Sequence, residues 1–221
     1  DFDIPSVYMT EEEGRRLLPH TGNPVLLKSH SRRIPTNAYN IIARKGKNKT
    51  ERIVITAHID AKKGTPGAID NATGVIVLLL VAEMLGDYDS DGMLEIVALN
   101  GEDYYAVPGQ MDHIYKNKNK FNEILLNINI DGAGYIEGKS IFSLFGLSEE
   151  MKKNVNNVLA EYNGITEGIQ YPQGDHSIFV QQGCPAIAVS SKWLIDHLDI
   201  QTITHTPKDN ARIVDCRKLV E

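Results

Sequence analysis

Short apolar runs with strand-like composition alternate with longer segments of helical character along most of this chain. Tyr39-Asn40-Ile41-Ile42-Ala43 and Arg52-Ile53-Val54-Ile55-Thr56 are β-rich, joined by the Lys-rich turn around Gly46, which we expect to be a solvated hairpin tip. Residues 72–85 are apolar on nearly every side and predict a mostly buried helix. Leu94 to Leu99, Ile124 to Ile130 and Ile141 to Phe145 predict further strands, and Pro185-Ala186-Ile187-Ala188-Val189 another. Helices are predicted over 109–117 and over 148–162, the second with Ser148 as N-cap followed by Glu149 and Glu150. Strand and helix in alternation define an α/β fold, a three-layer α/β/α sandwich on a mixed, largely parallel sheet. In such sheets ligands sit beyond the carboxyl ends of the strands.

The ends differ from this middle. Residues 1–34 are polar and irregular, with Pro5, Pro19 and Pro24, and form a leading arm; residues 35–221 form the domain. The chain opens on Asp-Phe-Asp-Ile-Pro without an initiator Met, and 213–221 looks like the beginning of a helix without a stop signal. We therefore expect both ends to be cut and the C-terminal helix to be incomplete. No signal peptide is present, which leaves the compartment, cytoplasmic or exported, open.

Composition narrows the function classes. With 221 residues the chain suits one sizeable domain, and 42% hydrophobic against 24% charged residues argues against disorder. A net charge of −6 makes nucleic acid and anionic membranes poor partners, since both demand clustered Lys and Arg. The longest apolar run, 75–82, is under half of the roughly 20 residues that cross a bilayer. Cys184 and Cys216 are too few for a disulfide framework and are expected to be buried small hydrophobes. Oligomeric state is not encoded in any pattern found here.

Chemistry collects where the strands end. Ala57-His58-Ile59-Asp60 follows one strand, Asn100-Gly101-Glu102-Asp103 a second, and Asp131-Gly132-Ala133-Gly134 a third. Gly67-Ala68-Ile69-Asp70-Asn71-Ala72-Thr73-Gly74 opens the apolar helix, and Thr204-His205-Thr206-Pro207-Lys208-Asp209-Asn210 stands near the end. Taken singly, each has an ordinary explanation: a loop histidine, an N-cap, a turn aspartate. Together they would repel one another at one sheet edge, and a cation removes that cost. His58, Asp70, Asp103, Asp131 and His205 supply imidazole and carboxylate ligands for two zinc ions, with one carboxylate able to bridge. Glu102 is left over as a general base, and Asp60 is placed to fix the His58 tautomer. Competing chemistries lack their residues. Gly138-Lys139-Ser140 has Ala133 where a P-loop needs Gly, no Gly-x-Ser-x-Gly elbow exists, and Gly132-Ala133-Gly134 lacks the third glycine of a dinucleotide fingerprint.

These segments, in this order, resemble the zinc aminopeptidase family that includes bacterial leucyl aminopeptidase, aminopeptidase Y, glutamate carboxypeptidase and the glutaminyl cyclases. The resemblance spans about residues 37–213 and includes Gly174-Asp175-His176-Ser177-Ile178-Phe179 ahead of Gly183-Cys184-Pro185-Ala186. It implies two Zn2+ ions bridged by Asp70, with His58 and Asp131 completing one site and Asp103 and His205 the other. Glu102 would take a proton from the bridging water and pass it to the leaving amine. It also implies a cis Asp70-Asn71 peptide, and Asp175 and His176 near the site without metal ligation by His176. The substrate would be a peptide with a free N-terminus. Asp103 departs from the Glu that many members carry, so its backbone must approach the metal more closely or the second site binds less tightly. Asp3-Ile4-Pro5-Ser6-Val7-Tyr8-Met9 through Leu18 resembles the closing segment of a protease-associated domain. Carboxypeptidase, dipeptidase or glutaminyl cyclase activity on the same fold, and a non-catalytic binding module, are the alternatives.

Overall fold

The computed structural model describes every residue except 1–6, 8, 29, 31, 33, 34, 36, 49, 90 and 105–108. Part of the protease-associated resemblance (Asp3 to Ser6 and Tyr8), and the arm residue Ile34, lie outside the described residues. The chain divides into two units, Asp1–Asn37 and Ala38–Glu221. The first carries a helix, Glu11–Leu17 (α1), where the sequence suggested only irregular chain. Its signal was local: Thr10 accepts a hydrogen bond from the Glu13 N–H, acidic residues fill the first turn, and Arg15 and Arg16 fill the last.

In the second unit the apolar runs become Ile41–Lys45 (β1), Arg52–His58 (β2), Met93–Leu99 (β3), Ile124–Ile130 (β4), Ser140–Phe145 (β5), Ile165–Gly168 (β6) and Ala186–Ser191 (β7). They form one sheet in the order β1-β3-β2-β4-β7-β5-β6. Strands β3, β2, β4 and β7 run parallel, β1 is antiparallel to β3, and β5 is antiparallel to β7. The sheet is thus mixed and largely parallel, and the carboxyl ends of β2, β3 and β4 lie at one edge.

The expected hairpin between the first two strands is not formed. β3 lies between them, with Ile41 opposite Ala98 on one side and Ile55 opposite Ile96 on the other. The Lys-rich segment instead crosses the start of β3, where Asn48 N–H donates to Asp91 O at 2.7 Å and Lys45 Nζ reaches Gly86 O. Gly46, at φ +113°, allows that close passage, since a Cβ there would collide with the Gly92 carbonyl.

Helices cover both faces. Thr73–Met84 (α2), Glu149–Glu161 (α4) and Arg217–Val220 (α7) contribute Leu78, Val155 and Leu219 to a core with Ile55, Ala57, Leu94, Ala98, Ile130 and Val189. On the other face Gly109–Asn117 (α3) and His176–Val180 (α5) bring Ile114, Ile178 and Phe179 against Val54, Val97 and Leu99. A short helix, Lys192–Asp196 (α6), packs Leu194 on Ile69 and Tyr135. Ser148 caps α4 by accepting from Met151 N–H at 3.2 Å. Two expectations fail. Helix α2 is only half buried: Thr73, Gly74 and Leu78 are inside, while Ile76, Leu79 and Met84 are exposed. An apolar surface on every side gives no stripe to distinguish the inner face, and only one face meets the sheet. Cys184 is buried but Cys216 is exposed, because it precedes α7, whose inward residue is Leu219. Among the described residues no helix is long and apolar enough to cross a membrane.

Candidate metal centre and active site

His58 ends β2 and is fully buried. Its Nδ1 lies 3.0 Å from the Asp60 backbone carbonyl, which can only accept, so Nδ1 carries a hydrogen and Nε2 is the nitrogen whose lone pair a cation would take. The Nε2 atom faces Asp70 Oδ1 at 3.1 Å and Asp131 Oδ1 at 3.6 Å. The sequence assigned the tautomer to the Asp60 carboxylate, but Oδ1 stands 3.7 Å from Nδ1. That carboxylate has other work: Oδ1 accepts from Gly101 N (2.7 Å) and Glu102 N (3.2 Å), and Oδ2 from Asp103 N (3.2 Å). It therefore braces the turn beyond β3 that carries Glu102 and Asp103.

Asp70 comes from the segment Ala68–Ala72 ahead of α2, and the Asp70-Asn71 peptide is cis. Asn71 anchors this segment, donating to Ile130 O at 2.8 Å while its Oδ1 accepts from Gly74 N at 3.0 Å. The two Asp70 oxygens look in different directions. Oδ1 faces His58, and Oδ2 lies 3.0 Å from His205 Nε2. His205 is half exposed on a loop and adopts φ +60°, which side-chain-bearing residues rarely do. Its Nε2 is 2.8 Å from Asp103 Oδ1, so the shorter Asp103 side chain still reaches the cluster.

Five residues thus form two groups able to hold a cation, His58–Asp70–Asp131 and Asp70–Asp103–His205, with Asp70 in both. A third combination, His58–Asp60–Asp103, is geometrically close, but the backbone N–H groups already occupy both Asp60 oxygens. His176 belongs to none of the three.

The donor chemistry fits zinc. His58 Nε2 and both Asp103 oxygens are buried, and without a proton shared between His58 and Asp70 or between His205 and Asp103 they have no hydrogen-bond partner, an expensive state for polar atoms unless a cation takes their lone pairs. The protonation pattern agrees. Burial pulls the His58 imidazole down, yet Asp131, Asp60 and Asp70 outweigh it and leave it well above its ordinary value. Hydrogen bonds to Asp103 and Asp70 push His205 up to about 10. Protons on the two imidazoles offset the carboxylates, and metal binding would replace them. Burial, then the Asp131 charge, pushes Glu102 up to about 8.

Asp175 and His176 stand beside this cluster. A Cβ on Gly174 would lie 3.3 Å from His176 Nδ1 and 3.5 Å from Asp131 Oδ2. Asp175 is fully buried, accepts from Gln110 Nε2 on α3, and is pushed up to about 7 by burial, against the pull of His58 and Gln110. Imidazole Nε2 of His176 contacts Tyr171 O at 3.0 Å. Next to it a cavity of about 380 Å³ is lined by Phe145, Gln170, Tyr171, Pro172, Val180 and Gln181 among others. Tyr104 and Met111, which follow β3, are exposed and line no part of this cavity. Sequence reasoning missed Gln110 and gave no role to Asp209, whose only signal is its place four residues after His205 in the quoted Thr-His-Thr-Pro-Lys-Asp segment.

An α/β protein on a mixed, largely parallel sheet, with imidazole and carboxylate groups gathered at the carboxyl edge of that sheet, is the class that the fold and the site define. Residues 40–221 match peptidase family M28, and the chain belongs to that family. It is 24% identical over 226 residues to aminopeptidase YwaD of Bacillus subtilis, a match covering 98% of this chain and 48% of that protein. The fold is shared with the zinc aminopeptidase BSAP from Bacillus subtilis (TM-score 0.69, 21% identity, 82% of this chain and 46% of that one). It is shared as well with the aminopeptidase from Aneurinibacillus sp. strain AM-1 (TM-score 0.68, 22% identity, 81% and 44%). This chain spans about half the length of these relatives.

Proposed function

We propose that the protein is a di-zinc aminopeptidase that hydrolyses the N-terminal peptide bond of peptides. The observation that carries this is the Asp70 carboxylate, with one oxygen 3.1 Å from His58 and the other 3.0 Å from His205, each within its own ligand group. His58, Asp70 and Asp131 would hold one ion, and Asp70, Asp103 and His205 the second. The bound ions supply Lewis acidity, polarising the scissile carbonyl and making the attacking water acidic. Glu102 takes the proton from that water and hands it to the leaving amine. Its elevated proton affinity arises from burial and neighbouring carboxylates, and with those carboxylates neutralised by cations held at His58, Asp70, Asp131, Asp103 and His205 it would be free to act as a base. Asp60 fixes the Glu102 backbone, so the base is held at a set distance from the reacting atoms. The cavity beside His176, lined largely by Phe145, Tyr171, Pro172 and Val180, would take an uncharged side chain of the substrate. Supporting the exopeptidase reading, the relatives YwaD and BSAP are named as aminopeptidases.

The test pairs elemental analysis with hydrolysis of a panel of aminoacyl-4-nitroanilides before and after zinc addition. About two zinc ions per chain are expected, with turnover that Glu102→Ala lowers by a factor of about 10²–10⁴ while the metal stays bound. Failure to bind zinc would overturn the proposal. Zinc binding without turnover on any aminoacyl substrate would retain the metal site and overturn the exopeptidase assignment.

A further inference from the structure

Asp70 and His205 must stay in register for the second ligand group to exist, although neither lies on a regular strand. His205 in particular sits half exposed, with φ +60°, on a loop. Asp209, fully buried, joins the two segments. Its Oδ1 accepts from Ile69 N at 2.6 Å and its Oδ2 from Asp70 N at 3.1 Å, across 140 and 139 positions of chain. Its backbone carbonyl faces Ala68 N at 3.4 Å, and nearby Thr65 Oγ1 donates to Thr206 O at 2.9 Å. On its own side Asp209 N–H donates to Thr206 O at 3.1 Å, which ties it to the turn directly after His205. One carboxylate therefore accepts from two successive N–H groups of the bridging ligand's segment while belonging to the segment of the other ligand.

We propose that Asp209 is a positioning residue that sets the spacing of Asp70 and His205 and so holds the affinity of the Asp70–Asp103–His205 site. The proposal rests on the two-metal reading above. It assigns Asp209 the counterpart of what Asp60 does for Glu102 and Asp103: a carboxylate spent on backbone N–H groups so that a neighbouring carboxylate is free for a cation. Both oxygens are needed. Asparagine has the same shape but only one acceptor, and its amide would point N–H groups at a backbone N–H.

The experiment titrates zinc into the full metal-free chain against a chromophoric chelator, for the wild type and for Asp209→Asn. The wild type is expected to take two ions. Asp209→Asn should bind the second about 10–100-fold more weakly, the usual effect of losing a partner outside the ligands themselves, and weaken the first, which shares only Asp70, by much less. Its kcat should fall with little change in KM, and excess zinc should restore it, which zinc would not do for a protein that had merely lost packing. Where Asp209→Asn does not fold by circular dichroism, Asp209→Ser and Thr65→Val are measured by the same criterion. Equal weakening of both ions, or no weakening of the second, would overturn the proposal. A wild type that binds fewer than two ions would overturn the two-metal reading itself.

Discussion

At the scale of single residues, the site depends on carboxylates with opposite duties. Asp70 and Asp103 leave oxygens uncommitted, whereas Asp60 gives both of its oxygens to the Gly101, Glu102 and Asp103 N–H groups. Because the His58 tautomer is held by the Asp60 backbone carbonyl, Asp60→Ala should leave the imidazole in place and loosen the turn instead. We expect kcat to fall about 10–100-fold, with zinc lost first from the Asp103–His205 side, as metal analysis of partly loaded protein would reveal. Loss confined to the His58 side would mean that the carboxylate–imidazole contact dominates. Which residue types gather at the strand ends was legible in the sequence. What each oxygen accepts was not, since a His-x-Asp spacing allows both a backbone and a side-chain partner for the imidazole. Asp209 was silent for the same reason: a buried carboxylate that satisfies distant N–H groups leaves no local pattern.

Among the elements, periodicity located strands and helices because it reports burial on one face or two. The extent of α3 follows the expectation, and α4 begins at its capping serine. Order within the sheet was not legible, because the insertion of β3 between β1 and β2 depends on pairings between segments distant in sequence. The short elements β6, α5 and α6, each under seven residues, were also missed, being too short for a period to register. One element junction is tight enough to test. A Cβ at Gly74, in the first turn of α2, would stand 2.3 Å from Asn71 Oδ1 and 2.6 Å from the Ile130 carbonyl, closer than real atoms approach. Gly74→Ala must therefore push α2 away from β4 or displace Asn71, and with it Asp70. Urea unfolding should register a loss of about 1–3 kcal/mol, the cost of overpacking, outweighing alanine's better helix propensity.

For the whole molecule, the edge of the sheet gathers negative charge that protons balance when cations are absent. His58 and His205 both hold their protons more firmly than usual, His205 up to about 10. As ligands they must be neutral, so binding competes with protons: affinity should weaken as pH falls, and the His205 contribution should level off only above about 10. Calorimetric titration of zinc at pH 7 in buffers of different ionisation enthalpy should register about three protons released per chain filled with zinc, two from the imidazoles and one from Glu102. No release would mean that the imidazoles are not ligands. The paths by which the two groups assemble also differ. The first joins the end of β2, the segment entering α2 and the end of β4, all in the sheet's central part. The second waits for the chain beyond β7 to return and be tied at Thr65, Ile69 and Asp70. We expect that longer circuit to close later in folding, so refolding in the presence of zinc should show two phases of uptake. A half-finished chain would hold one ion and no completed bridge, and the order of capture would separate finished molecules from unfinished ones.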